Sequence, residues 1–290
     1  MTDIRDRGHR LRFGLVTPQM WRSWDEMLDL WSRAESAGWD AAFIVDHFIS
    51  DWDGEMGANL EAFATLGALA REVDRIDLGV FVAGITHRPP MVLLKAATTV
   101  DHVSEGRFIF GAGAAWNDRE HEAYGIPFPP PADRVGAVEE TLAALRRLES
   151  QKRTDFSGTY LQLNNAPFEP KPVRGRLPVV VGSRRPRMLD VLARFGDYWD
   201  AVGSVEEVVR TGEILDASCR RHGRDPNEIV WMHEEVARGS HSTREGLVDR
   251  VATLSAVGVS FFLVNIWPKS DPSVIERLGD DLHRLRKETA

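Results

Sequence analysis

The feature that most constrains this chain is an alternation that recurs eight times: a short continuous apolar run, then a segment with apolar residues at helical spacing. The apolar runs fall at 11–17, 41–45, 76–83, 107–111, 179–181, 198–202, 229–236 and 259–264. Helices are predicted over 25–37, 60–71, 91–103, 134–148 and 187–195, after Ser204 as an N-cap, around Leu247, Val251 and Leu254, and over 274–285. In the first helix Met27, Leu28, Trp31 and Ala34 share one face, and Gly38 is placed to end it. Strands apolar along their whole length belong to a parallel sheet covered by helices, and eight is a number that closes a barrel. An open doubly wound sheet is the rival. The absence of a second-domain boundary favours closure, so the expected fold is an α/β, (β/α)8 TIM barrel formed by residues 1–290 as a single domain.

One segment breaks the rhythm. Residues 151–176, inserted between the fourth helix and the fifth strand, are rich in proline, asparagine and lysine. They are too long for a simple loop and are predicted to pass over the barrel mouth.

Charge and cysteine usage narrow the function classes. The net charge is −8, which disfavours nucleic acid as a partner because phosphate binding needs a basic surface. The single cysteine, Cys219, leaves no framework for an internal disulfide or a zinc site. No apolar run approaches the roughly 18 residues that read as a membrane span, and residues 1–12 lack the apolar core of a signal peptide. A reduced, cytoplasmic location without membrane attachment is the expectation.

In a barrel of this kind functional residues collect at the carboxyl ends of the strands. After the second strand come Asp46 and His47. A histidine there either exchanges a proton beside a cofactor or hydrogen-bonds a neighbouring loop, and position alone leaves both open. After the fifth strand, Gly182, Ser183, Arg184 and Arg185 read as an anion site at a helix amino terminus, or as a tight turn with solvated arginines. Gly111-Ala112-Gly113 lacks the third glycine of a dinucleotide fingerprint but suits a loop over which a flat ring lies, with Trp116 and Asn117 nearby. Trp21, Trp116 and Trp267 are singled out because they fall near strand ends. No helical His-Glu-x-x-His and no Gly-x-Ser-x-Gly elbow is present, so no metal site is expected; the best hydrolase-like hint is His233-Glu234-Glu235.

Across nearly its whole length the chain resembles the luciferase-like monooxygenase superfamily, in its coenzyme F420-dependent oxidoreductase branch. The runs that carry the likeness are His87-Arg88-Pro89-Pro90, Gly106-Arg107-Phe108 through Gly113, the stretch from Trp116-Asn117-Asp118 to Gly125-Ile126-Pro127, Asn165-Ala166-Pro167-Phe168, and Val181-Gly182. The resemblance implies coenzyme F420, with FMN as the alternative, lying across the barrel mouth with its phosphate-bearing tail near Gly182, Ser183, Arg184 and Arg185. It implies cofactor contacts from Asp46, Ala83, Ala112, Gly113 and Asn117, and a non-proline cis peptide within 80–85. It further implies His47 as the proton donor or acceptor with Asp46 contacting the cofactor or orienting the imidazole, and Trp21, Trp116 and residues 151–176 around a small-molecule substrate. Glucose-6-phosphate dehydrogenase members carry a glutamate where this chain has Ala114, which argues against sugar-phosphate oxidation. Members often pair through barrel helices, so a homodimer is part of the expectation. A non-catalytic flavin-binding barrel and a metal hydrolase are the readings from other classes.

Overall fold

The computed structural model describes residues 7–50, 56–236, 244–268 and 271–288. Its core is a closed parallel barrel. The strands are β1 (Arg12–Val16), β2 (Ala41–Ile44), β3 (Asp77–Gly84), β4 (Phe108–Gly113), β7 (Val179–Gly182), β8 (Tyr198–Asp200), β9 (Val230–Val236) and β10 (Val259–Asn265). They neighbour one another in the order β1-β10-β9-β8-β7-β4-β3-β2, with β2 closing on β1. The helices between them are α1 (Trp24–Ser36), α2 (Ala62–Glu72), α3 (Pro90–Val103), α4 (Asp118–Tyr124), α5 (Pro131–Ser150), α6 (Pro186–Phe195), α7 (Val205–Arg221), α8 (Arg244–Ser255) and α9 (Val274–Glu288).

Strand alternation sorts the core into two layers. Val16, Ala41, Phe43, Ile109, Val180, Met232, Phe261 and Leu263 fill the barrel interior. Residues one step away, such as Phe13, Leu15, Ala42, Phe110, Val181 and Phe262, pack outward in the helix-covered layer. The predicted helices form where their apolar faces meet that layer, and α1 and α7 begin with full capping boxes, Ser23 with Glu26 and Ser204 with Glu207. Val251 and Leu254 are buried as expected, whereas the Leu247 side chain lies outside the described residues.

Strand β3 carries an irregularity that shapes the site. The pairing with β4 shifts between Val80 and Ala83, and the Phe81–Val82 peptide is cis, inside the predicted 80–85 window. Phe81 and Val82 consequently both pack with the interior cluster. The neighbouring strand must give way to this bulge, which explains the glycines of β4. A Cβ on Gly111 would stand 2.1 Å from the Val80 carbonyl oxygen, and one on Gly113 would stand 2.6 Å from Val82 Cγ2. The Gly-x-Gly spacing therefore serves close strand packing as well as the loop beyond it. Gly111→Ala is expected to lower stability by roughly 1–3 kcal/mol or more, because the obstruction is backbone rather than a flexible side chain. A urea midpoint equal to that of the parent would contradict this packing argument.

The insertion departs from expectation. Residues 151–176 do not cross the mouth. They form an antiparallel hairpin of β5 (Thr154–Ser157) and β6 (Gln162–Ala166) laid along the outside of α5. Glu140 of α5 accepts hydrogen bonds from the Thr159, Tyr160 and Leu161 amides at 2.7, 2.7 and 2.9 Å, and Tyr160 Oη donates to Asp133 at 2.8 Å. The chain then returns at the amino end of the barrel, where Lys171 Nζ donates to the Leu148 and Gln151 carbonyls and the Val173 amide to Asp101. None of these residues lines the central cavity. Among the described residues no helix is long and apolar enough to cross a membrane.

Candidate active site at the carboxyl end of the barrel

The strand ends open into a cavity of about 470 Å³. On one side stand Asp46, His47, Glu120 and Trp116; the floor is Phe81, Val82, Ala83 and Gly113; the far side is formed by Gly182, Ser183, Arg185, Arg187, Asp200 and Glu234. Most of the predicted site residues are thus gathered around one space.

His47 is held by a residue that the sequence reading did not single out. Its Nδ1 lies 2.9 and 3.1 Å from the two carboxylate oxygens of Glu120. A carboxylate only accepts, so Nδ1 carries the proton and Nε2 is the nitrogen at which a proton can be gained or lost. Glu120 also accepts from the Phe48 and Ile49 amides, and Asn59 Nδ2 donates to the His47 carbonyl at 2.8 Å. Burial of Glu120 favours its neutral form. The His47 hydrogen bond and charge, with the Ile49 amide, outweigh this and hold its carboxyl below the ordinary range. Glu120 reaches this position on α4, a short helix that is not among the predicted ones, although its residues carry part of the family resemblance. His121 fixes that helix by donating from Nδ1 to the Asn117 carbonyl at 2.6 Å and bonding Thr86 Oγ1 through Nε2 at 2.6 Å.

Asp46 has a different role from orienting the imidazole. Its carboxylate accepts from the Gly84 amide at 3.0 Å, from His87 Nδ1 at 3.1 Å and from both Arg88 terminal nitrogens at 2.9 Å. Burial would raise its pKa, but the His87 and Arg88 hydrogen bonds dominate and lower it. Asp46 ties the loop after β2 to the end of β3, and Glu120 orients His47.

The remaining expectations divide. Trp116 borders the cavity, 61% exposed, with its ring edge-on to His47 at 5.5 Å. Trp21 does not border it: its ring meets Trp267 at 6.3 Å and lines a separate outer depression. Asn117 occupies the N-cap position of α4 but makes no side-chain capping bond, and it faces the cavity. Ala112 points into the outer layer, since its strand neighbours Gly111 and Gly113 take the inward positions. In the β7–α6 loop Ser183 Oγ accepts from the Arg185 amide at 2.9 Å and the Ser183 carbonyl from Trp199 Nε1 at 3.0 Å, which fixes the turn. Arg185 borders the cavity, but Arg184 turns away to Glu207 at 3.2 Å; Arg187 also borders it, its guanidinium donating to the Ala132 carbonyl at 2.9 Å and lying 3.7 Å from Glu139.

The 233–235 stretch resolves by alternation. His233 donates from Nδ1 to the Ala201 carbonyl at 2.6 Å, while Glu234 faces the cavity with Asp200 of β8 and accepts from Asn265 Nδ2 at 2.6 Å. Burial and the charge of Glu234 push the Asp200 pKa up to about 7, against a smaller opposing effect of His233. Burial likewise raises that of Glu234. The folded state therefore binds the Asp200 proton more tightly than the unfolded chain, whose aspartates titrate near about 4. Its stabilising contribution is full below that value and is lost as pH rises to about 7. Asp200→Asn should flatten this dependence and raise stability at pH 8, by an amount on the order of a few kcal/mol at most. Urea unfolding near pH 5 and pH 8 checks this; an unchanged pH slope in the variant would contradict it.

A sequence model described as "Luciferase-like monooxygenase" matches residues 9–254. The F420-dependent glucose-6-phosphate dehydrogenase of Intrasporangium calvum is 32% identical over 215 residues, covering 72% of this chain and 64% of that protein. The chain thus spans just under two thirds of that relative's length. Among solved structures, an F420-dependent secondary alcohol dehydrogenase in complex with an F420-acetone adduct superposes with a TM-score of 0.82 at 16% identity, covering 94% of this chain and 98% of the other. Riboflavin lyase with modified FMN and riboflavin gives a TM-score of 0.82 at 14% identity, covering 97% and 92%. At those identities the likeness is one of fold.

Proposed function

The chain belongs to the luciferase-like monooxygenase family, and from that premise we propose that it is a coenzyme F420-dependent oxidoreductase acting on a small organic substrate. The observation that carries the reading is His47, oriented through Nδ1 by the buried Glu120 and bordering a cavity whose opposite wall is a helix amino terminus with Arg185 and Arg187. The 32%-identical F420-dependent relative supports the choice of cofactor.

The residues present fit such a group. The Phe81–Val82 bulge with Ala83 and Gly113 offers an apolar surface broad enough for a flat ring. Gly182, Ser183 and the start of α6 offer backbone amides and the positive helix end to a phosphate, with Arg185 and Arg187 adding charge. When bound, the cofactor supplies two-electron hydride chemistry. The protein supplies the rest. His47 takes or gives a proton at Nε2, Glu120 keeps the ring in one tautomer, and Asn117 contributes a polar contact at the edge of the site. Trp116 covers the substrate side and limits water entry. Ala114 stands where a sugar-phosphate dehydrogenase of this family carries glutamate, so glucose 6-phosphate is not the substrate of this reading.

Titration of the purified protein with F420 and, separately, with FMN tests the reading by fluorescence. F420 binding in preference to FMN is expected. Preference for FMN moves the protein to the oxygen-using flavin alternative, and binding of neither removes the cofactor assignment.

A further inference from the structure

The chemistry above occupies one side of the cavity and leaves the β8–β9 wall without a role. Asp200 ends β8 and Glu234 lies in β9, and both border the cavity. Asp200 is 9% exposed, and among the described residues its solvent-shielded Oδ1 has no hydrogen-bond partner. Glu234 accepts a hydrogen bond from Asn265 through one carboxylate oxygen. The charged groups acting on Asp200 are Glu234 and the His233 imidazole, and His233 alone acts on Glu234 in that way. No lysine or arginine among the described residues compensates this pair.

Two carboxyl groups so placed are electrostatically incomplete, because a buried carboxylate is stable only when paired or fully hydrogen-bonded. Both residues line the cavity. Gly182 stands beside the pair, and a Cβ there would come within 3.1 Å of Asp200 Oδ2, so the bare glycine keeps the carboxylate accessible from the loop. The two carboxylates do not by themselves make a metal site, since no group of three or more acidic, histidine or cysteine ligands occurs among the described residues. In the strand order β8 is diametrically opposite β2, which places the pair across the cavity from His47. The basic groups are Arg185, the N-cap residue of α6, and Arg187 in the first turn of that helix, next to the β7 end. The cavity is therefore sorted by charge: a basic end suited to an anionic tail, and an acidic wall facing the histidine.

We propose that Asp200 and Glu234 bind a positively charged nitrogen of the substrate, a protonated amine or an iminium, on the cavity wall across from His47. This rests on reading the cavity as the substrate site of an oxidoreductase and adds the substrate's charge class to it. A cation between the two carboxylates compensates Asp200, whose carboxylate has no hydrogen-bond partner among the described residues, and Glu234 at once, with charge-assisted hydrogen bonds that a neutral hydroxyl cannot match.

The test compares isopropylammonium with 2-propanol, which have the same shape and differ in charge, by ligand-observed NMR on the F420-loaded protein. The parent protein should prefer the ammonium at least about tenfold, an increment of about 1.4 kcal/mol. Glu234→Gln should reduce that preference, and Asp200→Asn/Glu234→Gln should abolish it, with thermal unfolding confirming that each variant is folded. Equal affinities in the parent, or a preference that survives in the double variant, overturns the proposal. If F420 does not bind the parent, the same comparison on the unloaded protein still decides the charge preference, so the two readings fail separately.

Discussion

Replacing His47 by alanine should lower turnover about 10²–10⁴-fold while F420 still binds, the range expected when a general acid–base group is lost. The expectation follows from how much of the structure is committed to this one ring. Glu120, buried on α4, holds Nδ1; the Phe48 and Ile49 amides hold Glu120; Asn59 holds the His47 carbonyl. Such fixing gives a defined tautomer and direction to Nε2, which a loop-packing histidine does not require. The cofactor surfaces assigned to Phe81, Val82, Gly182 and Arg185 lie on other strands, so removing the imidazole leaves them in place. The measurement is single-turnover oxidation of the reduced cofactor beside an F420 titration of the same variant. Parent-like turnover with intact binding would remove His47 from the chemistry and leave it a structural role.

The barrel was legible because its signal is carried by whole elements. Eight continuous apolar runs, each followed by a helix-period segment, survive boundary errors of a few residues: the fourth strand, predicted over 107–111, is Phe108–Gly113. The cis peptide within 80–85 was legible only through the family resemblance, since nothing in the spacing of Val80-Phe81-Val82 announces it. The side chains that complete the site were harder to read, because their meaning depends on contacts between distant elements. Glu120 and His121 appear in the sequence as ordinary polar residues of a charged stretch, and their burial arises only when α4 folds back under the loop after β2. Arg184 and Arg185 look equivalent in a row of arginines, yet the turn sends one to Glu207 and the other to the cavity. The path of 151–176 could not be read from composition, since the partner that captures the hairpin is Glu140 on the preceding helix. Asp200 and Glu234 were recoverable in principle: two-residue periodicity along β8 and β9 sets which residues face inward, once the parity is anchored by apolar Tyr198, Val230 and Met232.

Removing Arg88 should cost more stability than any other single change argued from this site, about 3–5 kcal/mol at neutral pH. Its guanidinium meets Asp46 with two hydrogen bonds of 2.9 Å, also pairs with Glu61, and lies over the Phe63 ring at 4.8 Å. Without it Asp46, whose side chain is fully buried, retains only the Gly84 amide and His87. The pH dependence has a definite sign. In the parent the Asp46 pKa lies below its ordinary value, so its contribution is present above that value and is lost as pH falls through the lowered one. In Arg88→Ala the burial cost keeps the His87 hydrogen bond but loses the Arg88 hydrogen bonds and charge, and protonation of Asp46 costs the fold less than in the parent. The stability gap between parent and variant should therefore narrow as pH is lowered from about 7.5 toward the ordinary carboxylate range near about 4. Urea unfolding of Arg88→Ala, Asp46→Asn and the double variant at both pH values separates the pair from its surroundings. The double variant should lose less than the sum of the singles, because it leaves neither charge stranded. Additive losses with a pH-independent gap would mean that Arg88 acts through its other contacts, Glu61 and the Phe63 ring, rather than through Asp46. A confirmed coupling would identify the Asp46–Arg88 pair as the tie between the ends of β2 and β3, the two strands that place His47 beside the Phe81–Val82 surface.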